Sequence, residues 1–138
     1  MSDARQELEQ EFLKLPRLKN VGLALMDYAA TRYLNNGIGK DELGVFGVGP
    51  ICFAFADWKE MFSICIIGVS AEAIREAAPP ILQPEKLQEM DLKDNEAGFA
   101  CFVVRSTVFL GQAVIYIEYA LRAGMKGNLP FPESTSLN

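Results

Sequence analysis

The stretch ICFAFADWKEMFSICII, residues 51–67, holds two runs rich in Phe and Ile around a short polar turn. That pattern predicts two strands, over 50–56 and 60–69, joined as an antiparallel hairpin. If Asp57-Trp58-Lys59-Glu60 forms the loop, Ala56 faces Met61 and every further pair follows from it. A two-residue Trp58-Lys59 loop keeps the same pairs but sets Asp57 against Glu60, and it lacks the Gly or Asn that tight hairpin turns favour. The four-residue loop is therefore preferred. Phe55 then meets Phe62, Phe53 meets Ile64 and Ile51 meets Ile66, while Ala54 meets Ser63 and Cys52 meets Cys65 on the other face. Large side chains segregate from small ones, and a slip of one residue would destroy that order.

The register puts Cys52 and Cys65 directly opposite, with Cβ atoms about 4.5–5.5 Å apart. They are then close enough for a redox pair, or for a soft-metal site completed by Cys101. Against this, the two lie on the small face, where cysteine packs as a small hydrophobe beneath a close-lying element. No Cys-x-x-Cys spacing or adjacent basic residue is present to depress a thiol pKa. The preferred reading is a structural cross-strand thiol pair with no bound metal.

Outward from the hairpin, residues 3–15 read as a polar helix with Leu8, Phe12 and Leu15 on one face, ended by Pro16. A second helix, 17–34, carries Leu18, Val21, Leu25 and Ala29 on one stripe, widened by Met26, Ala30 and Tyr33, and stops at Asn35-Asn36-Gly37. Residues 37–49, GIGKDELGVFGVG, contain five glycines. They miss the dinucleotide spacing, because Glu42 stands where the third glycine belongs, and no Gly-Lys-Ser/Thr follows. A flexible connection with a bulged edge strand is expected there.

After the hairpin, Ser70 caps a short helix, SAEAIREAA, ended by Pro79-Pro80. Residues 81–96 read as a surface excursion with a helical turn at Pro84 and a solvated turn around Asp91 to Glu96. GFACFVVR, 98–105, is a third strand, apolar on both faces. TVFLGQAVIYIEYALRAG, 107–124, fits a helix capped by Thr107 and closed by Gly124, or strands around Val114 to Ile117. Its Tyr-Ala-Leu-Arg-Ala-Gly ending favours the helix, in which Glu118 and Arg122 form an i,i+4 pair.

The expected class is thus α+β: a small antiparallel sheet of at least three strands, with the 50–69 hairpin central, packed with helices in the order α-α-β-β-α-β-α. That order is architecturally similar to profilin-type and roadblock-type dimerisation domains, without a motif, and no activity follows from it. Residues 1–126 are expected to form one domain and 127–138 a flexible tail.

Composition excludes several functions. The chain has no histidine, which removes the commonest general base and metal ligand and makes Ser-His-Asp and Cys-His constellations impossible within it. Three cysteines without histidine fall short of a structural zinc set, and no cofactor is expected. Ser70, in Gly-Val-Ser-Ala-Glu, lacks both the closing glycine of a nucleophile elbow and a base. The net charge of −5 is spread evenly, with seven basic and nine acidic residues up to Val69 and six and nine beyond it. Without a basic stripe, neither nucleic acid nor an anionic membrane surface is an expected partner. The longest stretch free of Asp, Glu, Lys and Arg, Leu43 to Ala56, is only 14 residues and is broken by glycines and Pro50. The polar start, MSDARQELEQEF, is unlike a signal peptide, so a cytoplasmic location and three free thiols are expected.

Few polar residues stand out as site candidates. Arg105 and Glu118 are isolated charges in apolar surroundings, and with Tyr116 and Tyr119 they are the ligand-binding candidates. Trp58, at the hairpin tip, either folds back on its sheet or contacts a partner. The functional expectation is a non-enzymatic interaction or assembly domain, self-associating as a homo-oligomer through an apolar sheet or C-terminal helix surface. Its warrant is the two-faced apolarity of the strands, which one small chain does not cover on both sides. The alternatives are a small-molecule-binding protein or histidine-free enzyme with an apolar pocket, and an acidic adaptor or chaperone for a partner protein.

Overall fold

The computed structural model describes residues 3–33, 37–56, 60–77, 91–105 and 110–126. Trp58, the Pro79-Pro80 stop, the turn at Pro84, the Thr107 cap and the 127–138 tail lie outside the described residues.

The chain opens with two helices, α1 (Ala4–Leu13) and α2 (Lys19–Arg32). Asp3 caps α1, its carboxylate accepting the Gln6 amide at 2.8 Å, which satisfies a backbone donor that has no partner within the helix. Leu8, Phe12 and Leu15 are buried, as are Leu18, Leu25, Met26, Ala29 and Tyr33 along α2. The two helices meet at Gly22, where a Cβ would lie 2.2 Å from the Phe12 ring. Only glycine admits that approach.

Four strands follow: β1 (Gly39–Lys40), β2 (Phe46–Val48), β3 (Ile51–Phe55) and β4 (Phe62–Ile66). Next come α3 (Ala71–Ala77), β5 (Lys93–Asp94), β6 (Ala100–Val104) and α4 (Leu110–Lys126). The protein is α+β, with one six-stranded sheet in the order β1-β2-β3-β4-β6-β5, each neighbouring pair antiparallel. The hairpin holds the register read from residues 51–67: Ile51 faces Ile66, Cys52 faces Cys65, Phe53 faces Ile64, Ala54 faces Ser63 and Phe55 faces Phe62.

Two regions carry more sheet than the sequence suggests. The glycine-rich connection contains β1 and β2, with Phe46 and Val48 buried either side of Gly47. A two-residue link, Gly49-Pro50, turns β2 into β3; Gly49 has a φ of +58° and a Cβ there would sit 2.8 Å from the Tyr33 ring. The charged segment near Asp91 contains β5, which returns into β6 through a turn whose amides, at Ala97 and Phe99, donate to Asn95 Oδ1 at 2.9 and 3.0 Å. At the C-terminal end, α4 continues to Lys126, two residues beyond the expected stop at Gly124.

The core lies on one side of the sheet. Phe12 reaches down from α1 to Phe53, Phe55 and Phe62, with ring centroids 5.8, 5.2 and 5.1 Å away in edge-on geometry. Tyr116 of α4 meets Phe102 of β6 in the same manner at 5.9 Å. α3 is held at the sheet's end: Ser70 Oγ accepts the Ala73 amide at 3.1 Å, and Asp94 Oδ1 accepts the Ala71 amide at 2.7 Å. Arg75 donates to the Leu92 carbonyl.

Candidate functional site

Strand alternation sends Cys52 and Ala54 of β3, Ser63 and Cys65 of β4, and Cys101 and Val103 of β6 to the face away from that core. Five of the six are partly exposed, and Val103, at 8% exposure, is a buried hydrophobic outside the core cluster. The expected burial of the hairpin on both sides is thus met on one side and left half-open on the other. No described helix lies over these six residues. The six residues are small or apolar and carry no charge; Gly47 of β2 extends their face opposite Cys52, and Lys93 of β5, paired with Cys101, stands on it at the other edge.

Within it, three cysteines line up across three adjacent strands, Cys52 opposite Cys65 and Cys65 opposite Cys101. Cys65 and Cys101 form a disulfide with Cα atoms 4.1 Å apart, and Cys52 is a free thiol. This corrects the expectation of three thiols. The facing of Cys52 and Cys65 stands, but Cys65 is bonded to its other neighbour. The sequence placed the hairpin pair by its turn, whereas the pairing of β6 with β4 is a long-range choice that no turn fixes. Burial pushes the Cys52 thiol above its ordinary pKa, and the nearby Asp41 carboxylate adds to the effect. Among the described residues no group of three or more His, Cys, Asp or Glu side chains is arranged to hold a metal ion.

A second cluster joins α2 to α4. The Tyr28 hydroxyl donates to the Glu118 carboxylate, and Arg32 Nη1 lies 3.4 Å from the same oxygen. Burial first, then the Glu118 hydrogen bond and charge, raise Tyr28 well above the usual phenol pKa. Glu118 thus pairs across helices, and Arg122 instead sits over the Tyr119 ring at 5.4 Å.

The ligand-binding candidates occupy different settings. Tyr116 is buried in the core, Tyr119 packs against its edge, and Arg105 stands partly buried just past β6. Glu118 joins a polar cluster with two partners, Tyr28 and Arg32, that sequence reasoning missed. Both lie on α2, 86 or more residues away, and periodicity within one helix carries no signal for such a pairing. Beside this cluster is an open depression of about 430 Å³ lined by Ala24, Asp27, Tyr28, Thr31 and Arg32; another, of about 510 Å³, is lined by Gln6, Glu7, Glu9, Gln10 and Glu11. Among the described residues each is lined by a single helix.

Among the described residues no helix is long and apolar enough to cross a membrane. Comparison with models of protein families, with curated proteins and with solved structures finds no match to this chain.

Proposed function

We propose that this protein is a non-enzymatic assembly domain of the cytoplasm that self-associates through the outer face of its sheet, a second copy covering Cys52, Ala54, Ser63, Cys65, Cys101 and Val103. The observation that supports the reading is the small, uncharged character of these six residues at the middle of the face, with Lys93 at its β5 edge. Two sheets approach closely when the facing side chains are small, and the exposed Lys93 at the β5 edge keeps its charge at the rim, in water. The edges argue for face over edge pairing. β1 and β5 are two residues each, and they present Lys40 and Lys93-Asp94, short charged edges that discourage strand addition. The α4 surface is a weaker candidate, because Leu110 and Ile115 are its exposed large hydrophobics.

The size of the face sets the strength. Four central strands at about 4.8 Å spacing and five residues at about 3.3 Å give roughly 20 by 17 Å. That is short of the roughly 800 Å² per partner in a standard interface, so the association is reversible and falls in the micromolar range. Sedimentation velocity on the full chain, from about 1 to about 200 μM, tests it. The weight-average mass should climb from the 15.3 kDa of one chain towards twice that. A constant mass across the series would remove the reading.

A further inference from the structure

We propose that Cys52, Cys65 and Cys101 form a thiol–disulfide exchange site in which Cys65 is the shared sulfur, bonded alternately to Cys101 and to Cys52, and which draws oxidising equivalents from low-molecular-weight disulfides. The inference stands on the backbone. In an antiparallel sheet a residue directs both its N–H and its C=O to one neighbour, making a wide hydrogen-bonded pair there and a narrow pair on the other side. The Ile67 amide donates to the Pro50 carbonyl at 2.9 Å. Positions 67 and 65 of this strand, two apart, therefore both direct their polar groups toward β3. Cys65 then makes the narrow pair with Cys101, as the 4.1 Å Cα separation shows, and the wide pair with Cys52, at about 5.5 Å. Both separations are compatible with a disulfide after small adjustment. Cys52 and Cys101 flank Cys65 on opposite sides in one row across the sheet, so an attacking and a leaving sulfur come to Cys65 from opposite neighbours.

The step is balanced without an outside reagent. Cys52 releases its proton to solvent, and its sulfur forms a bond to Cys65 Sγ as the Cys65–Cys101 bond breaks. The electron pair leaves on Cys101 Sγ, which takes up a proton. The sheet is restapled from β4–β6 to β4–β3 with no net oxidation. The first disulfide forms when reduced Cys65 and Cys101 exchange with a small disulfide such as glutathione disulfide, releasing two equivalents of glutathione. Cys52 and Cys101 are two strands apart, about 9–10 Å, beyond the reach of a disulfide.

Lys59 and Arg75 separate the three cysteines into different tryptic peptides, so the pairing is readable directly. The full chain, at a concentration low enough to be monomeric, is equilibrated with glutathione and glutathione disulfide. It is then acid-quenched, alkylated and digested without reduction. The expected result is a mixture of Cys65–Cys101 and Cys52–Cys65 peptides, with Cys52–Cys101 at least about tenfold rarer than Cys52–Cys65. Cys101→Ser should form Cys52–Cys65 in the same buffer, and Cys52→Ser only Cys65–Cys101. Should Cys101→Ser fold poorly, the wild-type Cys65–Cys101 isomer is isolated and followed at pH 8.5 for appearance of the Cys52–Cys65 peptide. If that peptide never appears, or if Cys52–Cys101 forms as readily, the proposal is overturned. A triple Cys→Ser chain, followed by sedimentation, reports self-association separately.

Discussion

Gly22 and Phe12 show how one position sets the helix packing. Placing Ala at 22 would improve helix propensity by about 1 kcal/mol, but its methyl would enter the Phe12 ring, which is itself wedged against three other phenylalanines. Overpacking of that kind costs about 1–3 kcal/mol or more and wins. Gly22→Ala should lower the urea midpoint, and an unchanged or higher midpoint would show that α1 moves away freely. Tyr28 makes a different prediction. Its folded pKa is raised above the value of about 10 for an unfolded phenol. Between those values the unfolded chain has released the proton that the folded chain still holds. Stability from this group is therefore fully present below about pH 10 and lost as pH rises beyond it. Urea titrations at pH 8, 10 and 11 should show a shallower alkaline decline in Tyr28→Phe than in wild type. At neutral pH the same substitution should cost about 1 kcal/mol for the lost hydrogen bond to Glu118.

At the scale of elements, α3 has seven residues, too few to persist alone, and it depends on its N-terminal partners. Ser70 and Asp94 each take a different backbone amide. Ser70→Ala should cost about 1 kcal/mol, and Asp94→Ala should add to it while freeing the β5 edge. Amide exchange at Ala71 and Ala73 reads the two losses separately, and unchanged protection at both would contradict this account of the cap. Ser70 was legible in the sequence because a cap is local. Asp94 was not, since it arrives from 23 positions away. The hairpin was legible for the same local reason: a loop length and the large-small segregation of its faces fix every pair. β2 was read only as part of a flexible connection with a bulged edge strand, although Phe46 and Val48 alternate with Gly47 directly before a Gly-Pro turn. Its glycines pointed to a loop, and tertiary pairing with β3 overrode that propensity. The candidate site was legible only in part, as the row of sulfurs needed the placement of β6 beside β4.

For the whole molecule, the described helices pack on one side of the sheet, and among the described residues the centre of the other face carries small or apolar side chains. The proposed association at that face would bring together two chains of net charge −5, and Lys93 at its rim offsets little of that charge. The long-range repulsion opposes the dimer and is screened by salt. Dimerisation should accordingly tighten between low and moderate ionic strength, the reverse of an interface built on ion pairs. Ser63 lies on the central strand of that face, between Ala54 and Val103. A lysine there points outward and disturbs no buried contact of the core, but it would place a charge in the middle of the contact. The most direct measurement is sedimentation velocity on wild type and Ser63→Lys at matched concentrations near 100 μM, with circular dichroism confirming equal folding. The account predicts a dimerising wild type and a Ser63→Lys chain that stays at 15.3 kDa. A folded Ser63→Lys chain that dimerises as well as wild type would contradict it.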